Sequence, residues 1–128
     1  MLGRVLLIAN PAAQSGAGDA AADRAAELLR AALGADAVTV ARTAGPRHAC
    51  ALAKAADGAD TVVALGGDGA IHEVVNGLMA LPVAARPQLG VIPVGSGNDY
   101  ARALGIPAQV DKACARLLHA KARPVDIG

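Results

Sequence analysis

Residues 62–73 read "VVALGGDGAIHE". Val62 to Leu65 form an aliphatic run with no polar alternation, which is how a strand covered on both faces reads. Gly66, Gly67 and Gly69 then surround Asp68, and Ile71, Val74, Val75 and Leu78 follow at helical spacing before Pro82. A buried strand, a glycine turn and a helix in immediate succession make up the first part of a βαβ unit, so this stretch points to a parallel sheet.

The same grammar repeats outward in both directions. Val5 to Ala9, Ala37 to Arg42 and Leu89 to Val94 are further near-continuous apolar runs. Helical patterns lie between them. The first covers residues 17–33, with Ala21, Ala25, Leu28, Leu29 and Ala32 on its apolar side, Asp19 and Asp23 early, Arg30 late and Gly34 as its stop. A second opens at Gly45-Pro46, buries Ala49, Leu52, Ala53 and Ala56, and ends near Gly58. A third follows Asp68, a short fourth covers residues 98–104, and a fifth carries Val110, Ala113, Cys114, Leu117 and Leu118. Strands alternating with helices at these lengths predict right-handed crossovers and one α/β domain over residues 1–128, a three-layer Rossmann-like parallel sheet. Pro124 to Gly128 reads as a further strand beginning.

Composition narrows the partners. Twelve Lys and Arg stand against eleven Asp and Glu, and Tyr100 is the lone aromatic, so neither the basic excess nor the stacking platform of a nucleic-acid binder is present. The basic run from Lys112 to Arg123 reads as the solvated, cationic end of a helix, with an anionic membrane surface as the minority reading. Cys50 and Cys114 lack metal-ligand spacing and read as small buried apolar residues, which suits a reducing cytoplasm. His48 and His119 read as surface or capping residues. The opening apolar run is too short for a secretory signal, and no segment approaches the ~18 apolar residues of a membrane span.

In a parallel sheet the strand carboxyl ends share one edge, where ligands bind. Three unusual loops converge there: Asn10 to Gly18, Gly66 to Gly69, and Pro93 to Asp99. Each passes from strand to helix with glycines that expose backbone N–H groups, which together with the helix dipole attract phosphate. Ser15 and Ser96 read as helix caps or turn hydroxyls, compatible with phosphate contact, and Asn98 and Asp99 as caps or as polar site residues. A carboxylate beside phosphate is repelled unless a divalent cation bridges the two or a substrate hydroxyl stands between them, and both arrangements belong to phosphoryl transfer. Asp68 is therefore the candidate catalytic residue, with a turn aspartate capping the third helix as the structural alternative. Glu73 and Asn76 are placed to support it.

G-x-x-x-x-G-K-[ST] is absent, so this is no P-loop enzyme. Gly16-Ala-Gly18-Asp-Ala-Ala21 matches a dinucleotide fingerprint, but the ribose-binding acid is missing at the end of the second strand, where Arg42-Thr43 stands. Arg42 would suit a 2′-phosphate, which keeps NADP as a rival ligand.

With these residues in hand, the sequence resembles the diacylglycerol kinase catalytic-domain family, which includes bacterial lipid kinases and sphingosine kinases. The likeness runs from Val5 to Gly128 and is carried by "NPAAQSG", "GGDGAIHEVVNGL" and "PVGSGNDYARALGIP", with "RTAGPRHACALA" in support. The resemblance implies a fold of the NAD kinase and phosphofructokinase type, ATP and Mg²⁺ as cofactors, and transfer of the γ-phosphoryl to a lipid hydroxyl in phospholipid metabolism. By it, Asn10, Pro11, Ser15, Gly16, Thr43, Gly66, Gly67, Gly69, Glu73, Gly95, Ser96 and Asn98 surround the nucleotide and Asp68 stands at the catalytic centre. No residue is assigned as a metal ligand. Ala70 stands where the family carries Thr, and His72 and Ser96 resemble the sphingosine kinase branch.

The resemblance further implies a β-rich lipid-binding domain following this one, so residues 1–128 read as the nucleotide-binding half, weakly active or inactive alone. It also implies a cytoplasmic protein with peripheral contact to the inner membrane face, and the docking surface for the second domain invites self-association. The alternatives are a kinase of a soluble hydroxyl compound, as in NAD kinases, and a non-catalytic nucleotide-binding or dimerisation module.

Overall fold

A computed structural model describes residues 3–10, 17–43, 47–56, 58–93, 114, 115, 117 and 118, with the backbone alone for Ala17, Gly18, Asp68 and Pro93. The four apolar runs become strands β1 (Val5–Ala9), β2 (Val38–Arg42), β3 (Thr61–Gly66) and β4 (Gln88–Pro93). All pair in parallel, in the order β2-β1-β3-β4. Between them run α1 (Ala17–Leu33), α2 (His48–Lys54) and α3 (Asp68–Met79). This is the α/β architecture that the sequence pattern predicts.

The continuous apolar character of the strands follows from burial on both faces. Side chains alternate across the sheet. Leu7, Val63, Leu65 and Ile92 pack against Ala22, Ala25, Ala26 and Leu29 of α1. Ile8, Val62, Ala64 and Val91 pack instead against Ala49 and Ala53 of α2 and Ile71, Val74, Val75 and Leu78 of α3. Cys114, Leu117 and Leu118, in the helical residues of the fifth predicted helix, join the α1 layer. Every residue of β3 is buried, as a central strand requires.

With few large side chains and many alanines, the layers must approach closely. Gly77 shows how closely. A methyl group there would stand 2.5 Å from the Cys50 carbonyl oxygen and 2.6 Å from Ala53 Cβ, so α2 and α3 touch backbone to backbone. Past the end of α3, Arg86 folds back: its Nε donates to the Leu78 carbonyl at 3.0 Å, and its Nη2 donates to the carbonyls of Leu81 and Met79 at 2.9 and 3.3 Å. The cation adds a donor at the carboxyl end of the helix, where the Leu78 carbonyl also accepts from the Leu81 N–H at 3.0 Å.

Some expected boundaries move. Helix α2 begins at His48 because Arg47 adopts a left-handed backbone (φ 67°), which an α-helix cannot include, and it closes at Lys54, short of Gly58. Ala32 is exposed rather than buried, and Ala22 and Ala26 take its place on the packed side. Cys50 is half-exposed where a buried residue is expected, whereas Cys114 is buried. Short 3₁₀ turns at Ala35–Ala37 and Val83–Ala85, with no counterpart in the apolar pattern, lead into β2 and β4. The predicted helix at 98–104 and the strand start at 124–128 lie outside the described residues. Among the described residues, no helix is long and apolar enough to cross a membrane.

Candidate functional site

The strand carboxyl ends are joined by backbone hydrogen bonds at the edge where the site is expected. As the chain leaves β1, the Asn10 N–H donates to the Leu65 carbonyl at 3.0 Å. As it leaves β2, the Thr43 N–H donates to the Ala9 carbonyl at 2.8 Å. Asn10, Thr43 and Gly66 are thereby gathered at the ends of three adjacent strands, although distant in sequence.

From β3 the chain turns sharply into α3. Gly66 carries φ 154° and is buried, and a Cβ there would lie 2.9 Å from Ala70 Cβ and 3.4 Å from Asn10 Cβ. Glycine is needed on both counts. Gly67 occupies the N-cap, with no side-chain cap hydrogen bond, and its carbonyl accepts the first helical bond from the Ile71 N–H at 3.1 Å. Asp68 is the first helical residue, so it does not occupy the N-cap that the turn-aspartate alternative gives it. The opening N–H groups of a helix have no partner within it. Among the described residues, a Cβ on Gly69 would meet nothing within 4 Å. A twelve-residue helix therefore directs its positive end, with glycine at its N-cap, at the edge where the strands terminate.

One turn further on, Glu73 is half-buried and its buried Oε1 has no hydrogen-bond partner among the described residues. It lines a groove of about 460 Å³ between α2 and α3, together with Arg47, Cys50, Ala51, Lys54 and Asn76. A buried, unpaired carboxylate oxygen is costly, and a ligand N–H or O–H entering the groove would satisfy it. Arg47, whose left-handed backbone is itself strained, brings a cation to the same groove.

Arg42, at the end of β2, is held by two carboxylates of α1: its Nε donates to Asp19 Oδ1 at 2.8 Å and its Nη2 to Asp23 Oδ1 at 2.5 Å. Its pKa is raised above the ordinary value, chiefly by the Asp19 hydrogen bond, which outweighs the opposing desolvation, with the negative charges of Asp19 and Asp23 adding to the rise. A guanidinium engaged in this way is a poor receptor for a 2′-phosphate, which weakens the NADP alternative. Its partners lie 19 and 23 residues away, so no local pattern in the sequence marks this pairing.

Of the predicted site residues, Asn10, Thr43, Gly66, Gly67, Asp68 and Gly69 are brought to one edge, and Glu73 stands one turn into the helix that starts there. Pro11, Ser15, Gly16, Gly95, Ser96 and Asn98 lie outside the described residues. Among the described residues, no three His, Cys, Asp or Glu side chains gather as a metal cluster.

Comparison with known proteins bears on the family and the fold. The family described as the diacylglycerol kinase catalytic domain matches residues 4–128. A diacylglycerol kinase of Bacillus subtilis strain 168 is 57% identical over 70 residues, which are 54% of this chain and 22% of that protein. A protein of Yersinia enterocolitica named a probable lipid kinase, YegS-like, is 43% identical over 68 residues, 53% of this chain and 23% of its own length. A crystal structure from Bacillus anthracis strain Sterne superposes with a TM-score of 0.85 at 31% identity, over 96% of this chain and 41% of that one. Another from the same strain, titled as a diacylglycerol kinase, gives 0.79 at 31% identity, over 90% of this chain and 39% of that one. The matched region is thus less than half the length of these relatives.

Proposed function

This chain belongs to the diacylglycerol kinase catalytic-domain family, and from that membership we propose that it binds ATP at the carboxyl edge of its sheet as the nucleotide-binding half of a lipid kinase. The observation that carries the reading is the start of α3, where a twelve-residue helix with glycine at its N-cap and Asp68 as its first residue has, among the described residues, nothing within 4 Å of a Cβ built on Gly69. Phosphate suits those N–H groups and that dipole. Asp68 then stands beside the phosphates as the carboxylate of the site.

In phosphoryl transfer the acceptor hydroxyl forms a bond to the γ-phosphorus as the bond to the β-phosphate oxygen breaks, and the hydroxyl proton must pass to a base. The protein's part is mostly positioning and charge stabilisation. Mg²⁺, when bound, would offset the phosphate charge. Asp68 is the residue that would hold it, with phosphate oxygens and water completing its shell, as is usual for this ion. Glu73 and Arg47 would line the nucleotide's approach, the unpaired Oε1 accepting a ligand N–H or O–H.

The proposed acceptor is a lipid hydroxyl, presented by a β-rich domain that follows this one, at a membrane surface contacted peripherally. Names of relatives as lipid kinases support the lipid over a soluble acceptor. The test is calorimetric titration of this chain with ATP and Mg²⁺, with Asp68→Ala beside it and NADP as competitor. Saturable ATP binding whose Mg²⁺ dependence changes with Asp68→Ala, undisturbed by NADP, is the expected result. Binding of NADP in place of ATP would refute the reading.

A further inference from the structure

The Arg42 clamp has a place in the fold that neither the strand pattern nor the α3 turn explains. Arg42 is paired in register with Ala9, the last residue of β1, and precedes Thr43, whose N–H closes the edge onto the Ala9 carbonyl. Its side chain reaches across to the first two turns of α1, where Asp19 and Asp23 lie four residues apart on one face. The arginine is the less exposed partner, at 39% against 59% and 72% for the carboxylates, so the clamp is built from the sheet outward.

Two carboxylates at a helix N-terminus complement its dipole when the helix is considered alone. Beside a triphosphate the same two charges would repel the ligand. One guanidinium spanning both removes part of that charge and ties the start of α1 to the end of β2. We propose that Arg42 is a positioning residue for nucleotide binding: by bridging Asp19 and Asp23 it fixes the N-terminal turns of α1 against the strand edge and masks two carboxylates that would otherwise oppose a polyphosphate. The inference rests on the nucleotide reading given above.

The two roles make separable demands on variants. Arg42→Gln exposes both carboxylates, and the triple variant Arg42→Gln, Asp19→Asn, Asp23→Asn removes the charges together. Binding of ATP and of AMP is measured by calorimetry at low ionic strength, with thermal unfolding recorded for each variant. Arg42→Gln is expected to weaken ATP binding about five-fold or more while changing AMP by less, because repulsion grows with ligand charge. The triple variant is expected to recover most of that loss, and 0.5 M salt to narrow the difference between wild type and Arg42→Gln.

Failure of the wild-type chain to bind ATP would overturn the nucleotide reading and this inference with it. Wild-type binding that Arg42→Gln leaves within two-fold would overturn the inference alone. Equal losses for ATP and AMP, tracking a lowered melting temperature, would also overturn it, since a purely structural brace does not discriminate between ligand charges.

Discussion

Gly77→Ala is expected to destabilise the domain, against the ordinary preference of helices for alanine. In the middle of a helix that substitution normally contributes about 1 kcal/mol of stability. Here the added Cβ would stand 2.5 Å from the Cys50 carbonyl oxygen, 2.6 Å from Ala53 Cβ and 3.2 Å from the Lys54 nitrogen. An acceptable carbon–oxygen contact begins near about 3.3 Å, so α2 would have to retreat by roughly 0.8 Å along its whole packed side. The obstacle is backbone, and Cys50 and Lys54 are i and i+4 partners in α2, so no side-chain rotation relieves it. Overpacking of this kind costs about 1–3 kcal/mol, and the rigid contact puts it in the upper half of that range. Subtracting the helix preference leaves a net loss of roughly 1–2 kcal/mol, a fall in Tm of about 3–8 °C for a domain of this size. Thermal and urea unfolding followed by circular dichroism measure it directly. A melting temperature equal to or above wild type would refute the close-packed α2–α3 interface.

Gly69→Ala is the matching control on the same helix: with no described residue within 4 Å of the new methyl, Tm should hold or rise, while calorimetry shows weakened ATP binding because the methyl occupies the phosphate approach. Arg47→Gly should raise stability by about 1–2 kcal/mol in urea titration by relieving the left-handed backbone, and should lower nucleotide affinity by removing a cation from the groove. Arg86→Ala removes the guanidinium donors from the carbonyls of Leu78, Met79 and Leu81, of which Leu78 keeps the Leu81 N–H, and a loss of roughly 1–2 kcal/mol is expected in the same titration.

The sheet was legible because burial on both faces leaves a local trace: Val62 to Leu65 are all apolar since α1 covers one side and α2 with α3 the other. The α3 turn was legible for a similar reason, since Gly66 is required by its own backbone and by the neighbouring Ala70. Features set by partners distant in sequence left no such trace. Arg42 suggested a phosphate receptor until Asp19 and Asp23 were found on it. The start of α2 was misplaced because nothing local marks Arg47 for a left-handed conformation. Cys50 sits within an apolar helical pattern, yet it lines a groove, which depends on how α3 packs beside it.

The hydrogen bonds that gather Asn10, Thr43 and Gly66 have a kinetic consequence. They join chain segments separated by whole crossover helices, and parallel pairing of that kind is slow, on the order of milliseconds to seconds, whereas single helices form in about a microsecond. The edge thus assembles late in each folding event, after α1 and α3 can already exist as fluctuating helices. A ligand that recognises the assembled edge meets it only on the native side of the barrier, so it lengthens the lifetime of the folded chain without hastening its formation.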